Sequence, residues 1–262
     1  MTLRSLLLTS AIALSTPAMG QGLASYSYDP SAEVDVELLL AVDISQSMDT
    51  DEQEVQRAGY AAALVSKDFL DAIELGPIGR VAVSYMEWGG VDEHFIVADW
   101  AVIDGPDSAL HFAEEIASAP LRQVQRTSIA SALNKAEWML DNNKYQGLRK
   151  VIDVSGDGPN NQGGSVTEVR DRIVARWDIA INGLPLMMKA NKTAWQAMLN
   201  LDHYYEDCVI GGPGSFSIPV RSQEGFADAI RMKLVMEIAG LSNIPTIQKA
   251  QARERVRCNL YD

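Results

Sequence analysis

Three short segments gather the oxygen-bearing side chains that could hold an ion. Asp43-Ile44-Ser45-Gln46-Ser47 sets a carboxylate and two hydroxyls at alternate positions of one turn, and Arg126-Thr127-Ser128 adds further hydroxyls. Ser155-Gly156-Asp157-Gly158-Pro159-Asn160-Asn161 places a second carboxylate between two glycines that let the backbone turn sharply. Carboxylates, hydroxyls and water are hard ligands, and they suit a small divalent cation, Mg2+ (or Mn2+), which takes near-octahedral oxygens at about 2.0–2.1 Å and keeps several waters. The candidate ligands are Asp43, Ser45, Ser47, Thr127 and Asp157. Zinc fits poorly: His94, His111 and His203 have neither i,i+4 spacing nor CxxC companions, and two cysteines cannot build a Cys-rich module.

The elements that must carry these segments can be read from hydrophobic periodicity. Residues 34–42 begin in alternation and become continuously apolar, as in a strand entering a sheet covered on both faces. Asp49, Thr50 and Asp51 offer capping oxygens to one helix striped by Val55, Ala58, Ala62, Val65, Phe69 and Ile73, ending near Gly76-Pro77. Residues 80–88 and 95–103 read as strands joined across Gly89-Gly90, a connection short enough for an antiparallel hairpin. Helices are expected at 107–119, 128–140 and 166–176, and strands at 150–154 and 178–184. A short helix at 193–201, a short strand at 208–210 and a last helix striped by Phe226, Ile230, Leu234 and Ile238 complete the chain. Strands alternating with helices predict an α/β fold, a doubly wound, mostly parallel sheet with one antiparallel edge strand. Such sheets bind ligands outside the carboxyl ends of their strands, where the first and third oxygen-rich segments fall.

At 262 residues, 47% hydrophobic and 22% charged, the composition is that of an ordinary globular chain. The 35 acidic residues outnumber the 22 basic ones, so the net charge of −13 opposes nucleic acid and anionic membrane surfaces. Arg4, the apolar run 6–14 and the small residues of Ala18-Met19-Gly20 predict a signal peptide over 1–20, cut ahead of Gln21. Its loss takes the charge to −14 and leaves an exported protein, periplasmic or secreted, without membrane insertion. A polar lead (21–33), one domain (34–240) and a tail (241–262) then follow. In an oxidising compartment Cys208 and Cys258, 50 positions apart, read as a disulfide clipping the tail, worth about 4 kcal/mol by loop-closure entropy. The competing reading, a catalytic thiol, has only His203 nearby and no motif.

Asp43, Ser45 and Ser47 match the Asp-x-Ser-x-Ser motif of von Willebrand factor A (vWA) domains, and Thr127 and Asp157 fall where that family supplies its remaining metal-site residues. The chain therefore resembles that family over residues 34–240, and its Ser-Gly-Asp-Gly-x-Asn-Asn stretch is similar to an uncharacterised, exported bacterial branch. The resemblance implies a Rossmann-like fold and a metal-ion-dependent adhesion site (MIDAS). There Ser45, Ser47 and Thr127 would offer hydroxyls, Asp43 and Asp157 would act largely through water, and the open metal position would take an acidic group of a partner protein, with no catalysis. Asp153 departs from the pattern, standing where the family has an apolar residue; it reads as a buried carboxylate satisfied by its neighbours or as a support for the site. The acids of residues 49–54 read as a solvated helix start or a second metal site.

Capping of the first helix explains Asp43 or Ser45 alone, but not Thr127 and Asp157 in the family's order. A magnesium-dependent phosphatase of the haloacid dehalogenase type is the enzyme alternative, with Asp43 as nucleophile and Gly156-Asp157-Gly158-Pro159-Asn160-Asn161 as its metal motif. Ser45 stands where that chemistry needs a second acid, and Asn161 replaces the motif's last acid. A serine hydrolase lacks its Gly-x-Ser-x-Gly elbow, and a metal-free structural module would share the fold.

Overall fold

Strand β1 (Glu33–Asp43) builds the middle of the molecule because both of its faces are apolar. Val36, Leu38, Leu40 and Val42 enter one core, while Leu39 and Ala41 enter the other. Each fully buried leucine contributes about 1.5–3 kcal/mol, which anchors the strand end that leads to Asp43. The two early acids are buried as well, and each is satisfied. Asp35 accepts from the amides of Ile78, Gly79 and Arg80, and Glu37 accepts from Gly147 N and Asn143 Nδ2.

A computed structural model describes residues 29–188, 200–240 and 253–261. The expected signal peptide, the polar lead up to residue 28, the 193–199 part of the expected short helix, and tail residues 241–252 and 262 lie outside the described residues. Beyond β1 the chain forms α1 (Thr50–Leu64), α2 (Lys67–Glu74), β2 (Val81–Trp88), β3 (His94–Ile103), α3 (Pro106–Ser118) and α4 (Ile129–Asp141). It continues through β4 (Gln146–Gly156), α5 (Val166–Trp177), β5 (Ala180–Pro185), one helical turn (Leu201–Tyr204), a π-helical turn (Tyr205–Val209) and α6 (Phe226–Ala239). The sheet order is β3-β2-β1-β4-β5, parallel except for the antiparallel edge strand β3. Side chains of α1, α2, α3 and α6 fill the core on one face, and those of α4 and α5 with Tyr204, Tyr205 and Cys208 fill the other. Among the described residues no helix is long and apolar enough to cross a membrane.

Two elements differ from the sequence expectation. The single helix expected through Ile73 is broken at Ser66, whose Oγ donates to Ala63 O at 2.7 Å and accepts from Phe69 N at 3.3 Å. That hydroxyl ends one helix and caps the next, a local competition that the apolar stripe does not register. The strand expected at 208–210 is instead helical through Val209: the Ile210 amide reaches back to Tyr205 O at 2.9 Å, the i→i+5 spacing of a π turn. This turn buries Tyr205, Cys208 and Val209, an apolar run that also suits a strand.

The chain leaves β1 toward β2 on one side and returns to β4 on the other, so the order reverses between β1 and β4. Val42 pairs with Ser155 there, bringing the ends of the two strands level, with Asp43 next to Gly156. A sheet of this kind opens its ligand crevice at such a reversal.

Candidate metal centre

Four of the five predicted ligands meet at this crevice through a chain of hydrogen bonds. Ser45 N donates to Asp43 Oδ1 at 2.8 Å, Ser45 Oγ and Ser47 Oγ are 3.0 Å apart, and Ser47 Oγ donates to Asp157 Oδ1 at 2.5 Å. Asp43 is 0% and Ser45 1% exposed, whereas Ser47 and Asp157 are half-buried, so the cluster runs from the interior to the surface. Asp43 Oδ2 is buried without a hydrogen-bond partner. Burial first, and the charge of Asp157 second, push the Asp43 carboxyl up to about 8, against the pull of the Ser45 and Asp157 amides. Converging carboxylates, aligned hydroxyls and an orphaned buried oxygen fit a hard cation, which would relieve the repulsion that raises Asp43. Among the described residues no three His, Cys, Asp or Glu group as a metal site, so a centre here depends on hydroxyl oxygens.

Thr127, the fifth predicted ligand, lies on the loop between α3 and α4, which is tied down along its length and bonds to the β4–α5 loop rather than to the other four. Arg57, buried and paired with Glu87 at 2.7 Å, donates to the carbonyls of Ala119 and Pro120. Val124 N donates to Ile44 O at 3.2 Å, and Gln123 Nε2 donates to Met48 O at 2.7 Å. Arg126 takes a left-handed backbone, φ 71°, a conformation costly for a residue with a side chain. The next residue, Thr127, is then bonded reciprocally to the β4–α5 loop: Thr127 N donates to Asn161 Oδ1 at 3.0 Å, and Asn161 N donates to Thr127 O at 2.9 Å. Thr127 is 4% exposed. Ser128 serves as the cap of α4, accepting from Ser131 N, and Ser155 Oγ accepts from Gln56. Asp49 and Glu52 form a capping box at the start of α1.

Asp153 is an ion-pair member. Its Oδ1 lies 2.5 Å from Lys233 Nζ, which is also 2.5 Å from Glu237 Oε1, and all three side chains are at most 1% exposed. Asn182 Nδ2 donates to the same Glu237 oxygen at 3.0 Å. Lys233 and Glu237 went unread in the sequence, although their spacing beside Ile230, Leu234 and Ile238 puts them on the buried stripe of α6. Tyr205 also went unread: its hydroxyl is buried beside the centre, and burial, then the Asp43 charge, raise its pKa well above the usual range.

The disulfide forms between Cys208 and Cys258, as the spacing and compartment suggested. The returning tail is held by Val256 N, which donates to Asp207 Oδ2 at 2.8 Å, and by Arg253, paired with Glu206 and Asp207. Its Tyr261 carbonyl accepts from Asn160 Nδ2 at 3.1 Å, and Asn160 N donates to Tyr204 Oη at 3.2 Å. The clip thus ends on the loop that carries Asp157 and Asn161.

Residues 33–242 match the family described as a protein of unknown function, DUF1194. No curated protein matches the chain. The fold is similar to that of the pilus adhesin SpaC from Lactobacillus rhamnosus GG in its open conformation, at 12% identity and TM-score 0.53 over 79% of this chain and 30% of that one. It is also similar to a von Willebrand factor type A protein from Catenulispora acidiphila, at 12% identity and TM-score 0.51 over 79% of this chain and 43% of that one. A third similar structure is proximal thread matrix protein 1 of the mussel byssus with a zinc-occupied MIDAS motif, at 12% identity and TM-score 0.52 over 78% of this chain and 46% of that one. The chain spans less than half the length of each of these three.

Proposed function

Because the chain belongs to the DUF1194 family and has the Rossmann-like vWA fold, we propose that it is an exported module that binds a partner protein through a divalent cation, Mg2+ or Mn2+. The observation that carries this reading is the Asp43–Ser45–Ser47–Asp157 chain at the sheet's switch point, with one Asp43 oxygen left unpartnered. Adhesion in SpaC and a metal-occupied MIDAS in the byssus protein lend support from the same fold.

The residues divide the work by depth. Ser45 and Ser47 offer hydroxyl lone pairs, and Thr127 adds a third from a loop pinned by Asn161. Asp43, buried, and Asp157, nearer the surface, would balance the charge of a bound ion. The bound cation supplies a Lewis-acidic position for an Asp or Glu of the partner. The chain is not read as an enzyme: Ser45 gives no second acid beside Asp43, and Asn161 is spent on the Thr127 backbone. Immobilised protein should capture a partner from the exported fraction in magnesium and release it to chelator, and Thr127→Ala should weaken capture more than folding. Magnesium-dependent hydrolysis of a phosphate ester that Asp43→Asn abolishes would overturn the reading in favour of the phosphatase.

A further inference from the structure

Two buried oxygens beside the proposed centre pack against Gly156, and neither has a hydrogen-bond partner: Asp43 Oδ2 and Tyr205 Oη. They come this close because residue 156 is glycine. A Cβ built there would stand 2.9 Å from each of the two oxygens and 3.2 Å from Asp43 Cβ, so any larger residue would push both away. Burying a hydroxyl or a carboxylate oxygen without a hydrogen bond costs about 1–3 kcal/mol or more, and here two such costs fall at one place. A single water hydrogen-bonded to both oxygens would remove both costs at once.

The backbone around Tyr205 holds it in that position. Tyr205 opens the π-helical turn, an irregularity found often at functional sites. Its ring lies against β5, where a Cβ on Gly183 would come within 2.6 Å of Tyr205 Cδ1. Three residues later Cys208 is bonded to Cys258, which fastens the turn to the tail.

We propose that Tyr205 is a positioning residue of the metal centre: its hydroxyl donates to a water that donates in turn to Asp43 Oδ2, fixing the rotation of that carboxylate. The proposal rests on the metal-binding reading above. With Ser45 N on Oδ1 and the bridged water on Oδ2, the Asp43 carboxylate is held at both ends before a cation arrives.

The test is a calorimetric Mn2+ titration of the full chain, wild type against Tyr205→Phe, Gly156→Ala and Asp43→Ala, with circular dichroism and metal-free Tm for each. Loss of an outer partner of a metal ligand typically weakens affinity about 10–100-fold, and Tyr205→Phe is expected to do so with a native spectrum. A purely structural tyrosine would move Tm and leave the Mn2+ Kd within twofold, and that result overturns the proposal. If Tyr205→Phe does not fold, Gly156→Ala decides: a Cβ there collides with both oxygens, leaves no room for the bridging water and should weaken Mn2+ comparably, and an unchanged Kd overturns the proposal. A wild type that takes up no Mn2+ overturns both the proposal and the reading beneath it. Binding lost in Asp43→Ala but kept in Tyr205→Phe overturns the proposal alone.

Discussion

Replacing Lys233 with Met probes the ion cluster that fixes the last helix against the sheet. Lys233 is 1% exposed, and its Nζ lies 2.5 Å from both Asp153 Oδ1 on β4 and Glu237 Oε1 one turn along α6. Methionine fills much of the same volume but leaves two carboxylates buried with no cation. Breaking a buried pair in this way costs about 3–5 kcal/mol, a large share of the roughly 5–15 kcal/mol that holds a domain together. Burial already raises both carboxyl pKa values, and Lys233 is the largest influence holding each down, so its removal drives both acids toward the protonated form. The loss should therefore be greatest near pH 8 and shrink toward pH 5. Urea unfolding at the two pH values gives the magnitude, and adding Asp153→Asn with Glu237→Gln should recover most of it. A loss under about 1 kcal/mol at pH 8, the size of an exposed pair, would refute the argument that the triad is buried and coupled.

Two further predictions concern pH and the clip. Burial pushes the Glu237 carboxyl up to about 7 among Lys233, Asp153, Asn182, Tyr60 and Arg149. The fold then keeps a proton that the unfolded chain releases, so stability should fall between about pH 4.5 and 7, by up to about 1.4 kcal/mol per pH unit. Urea midpoints of Glu237→Gln should show a shallower fall across that window, and an equal slope would count against it. Reducing Cys208–Cys258 should cost about 4 kcal/mol at most and raise amide exchange in residues 204–210 and 253–261 before β1. Two freely alkylated thiols in the unreduced, denatured protein would contradict the bond.

What was legible in the sequence was whatever depends on periodicity and local chemistry. The continuous apolar run of β1, the Gly89-Gly90 hairpin and the alternation of strands with helices such as the striped α6 predicted the sheet, because a residue's face follows from its spacing. Asp43, Ser45, Ser47 and Asp157 could be brought together because strand ends carry them, and in the structure they are linked by hydrogen bonds. Ser66 was missed because one hydroxyl redirects a helix without disturbing its apolar stripe. Lys233 and Glu237 were missed because a Lys–Glu pair at i,i+4 reads as a solvated face even where, as here, it shares the spacing of an apolar stripe; Asp153 on β4 completes it as a core cluster. Tyr205 was missed for a similar reason. Its place beside Asp43 depends on a long-range return of the chain and a π turn, neither of which has a local signature.

The central claim is that Asp43 and its neighbours hold a divalent cation, and thermal unfolding with magnesium or manganese tests it most directly. A ligand bound only by the folded state stabilises it by about 2.7 kcal/mol at a hundredfold excess over Kd, so either ion should raise Tm by several degrees in the wild-type protein. Asp43→Ala should fold and show no such rise. A metal response that persists unchanged in Asp43→Ala, or no response in the wild-type protein, would contradict the account.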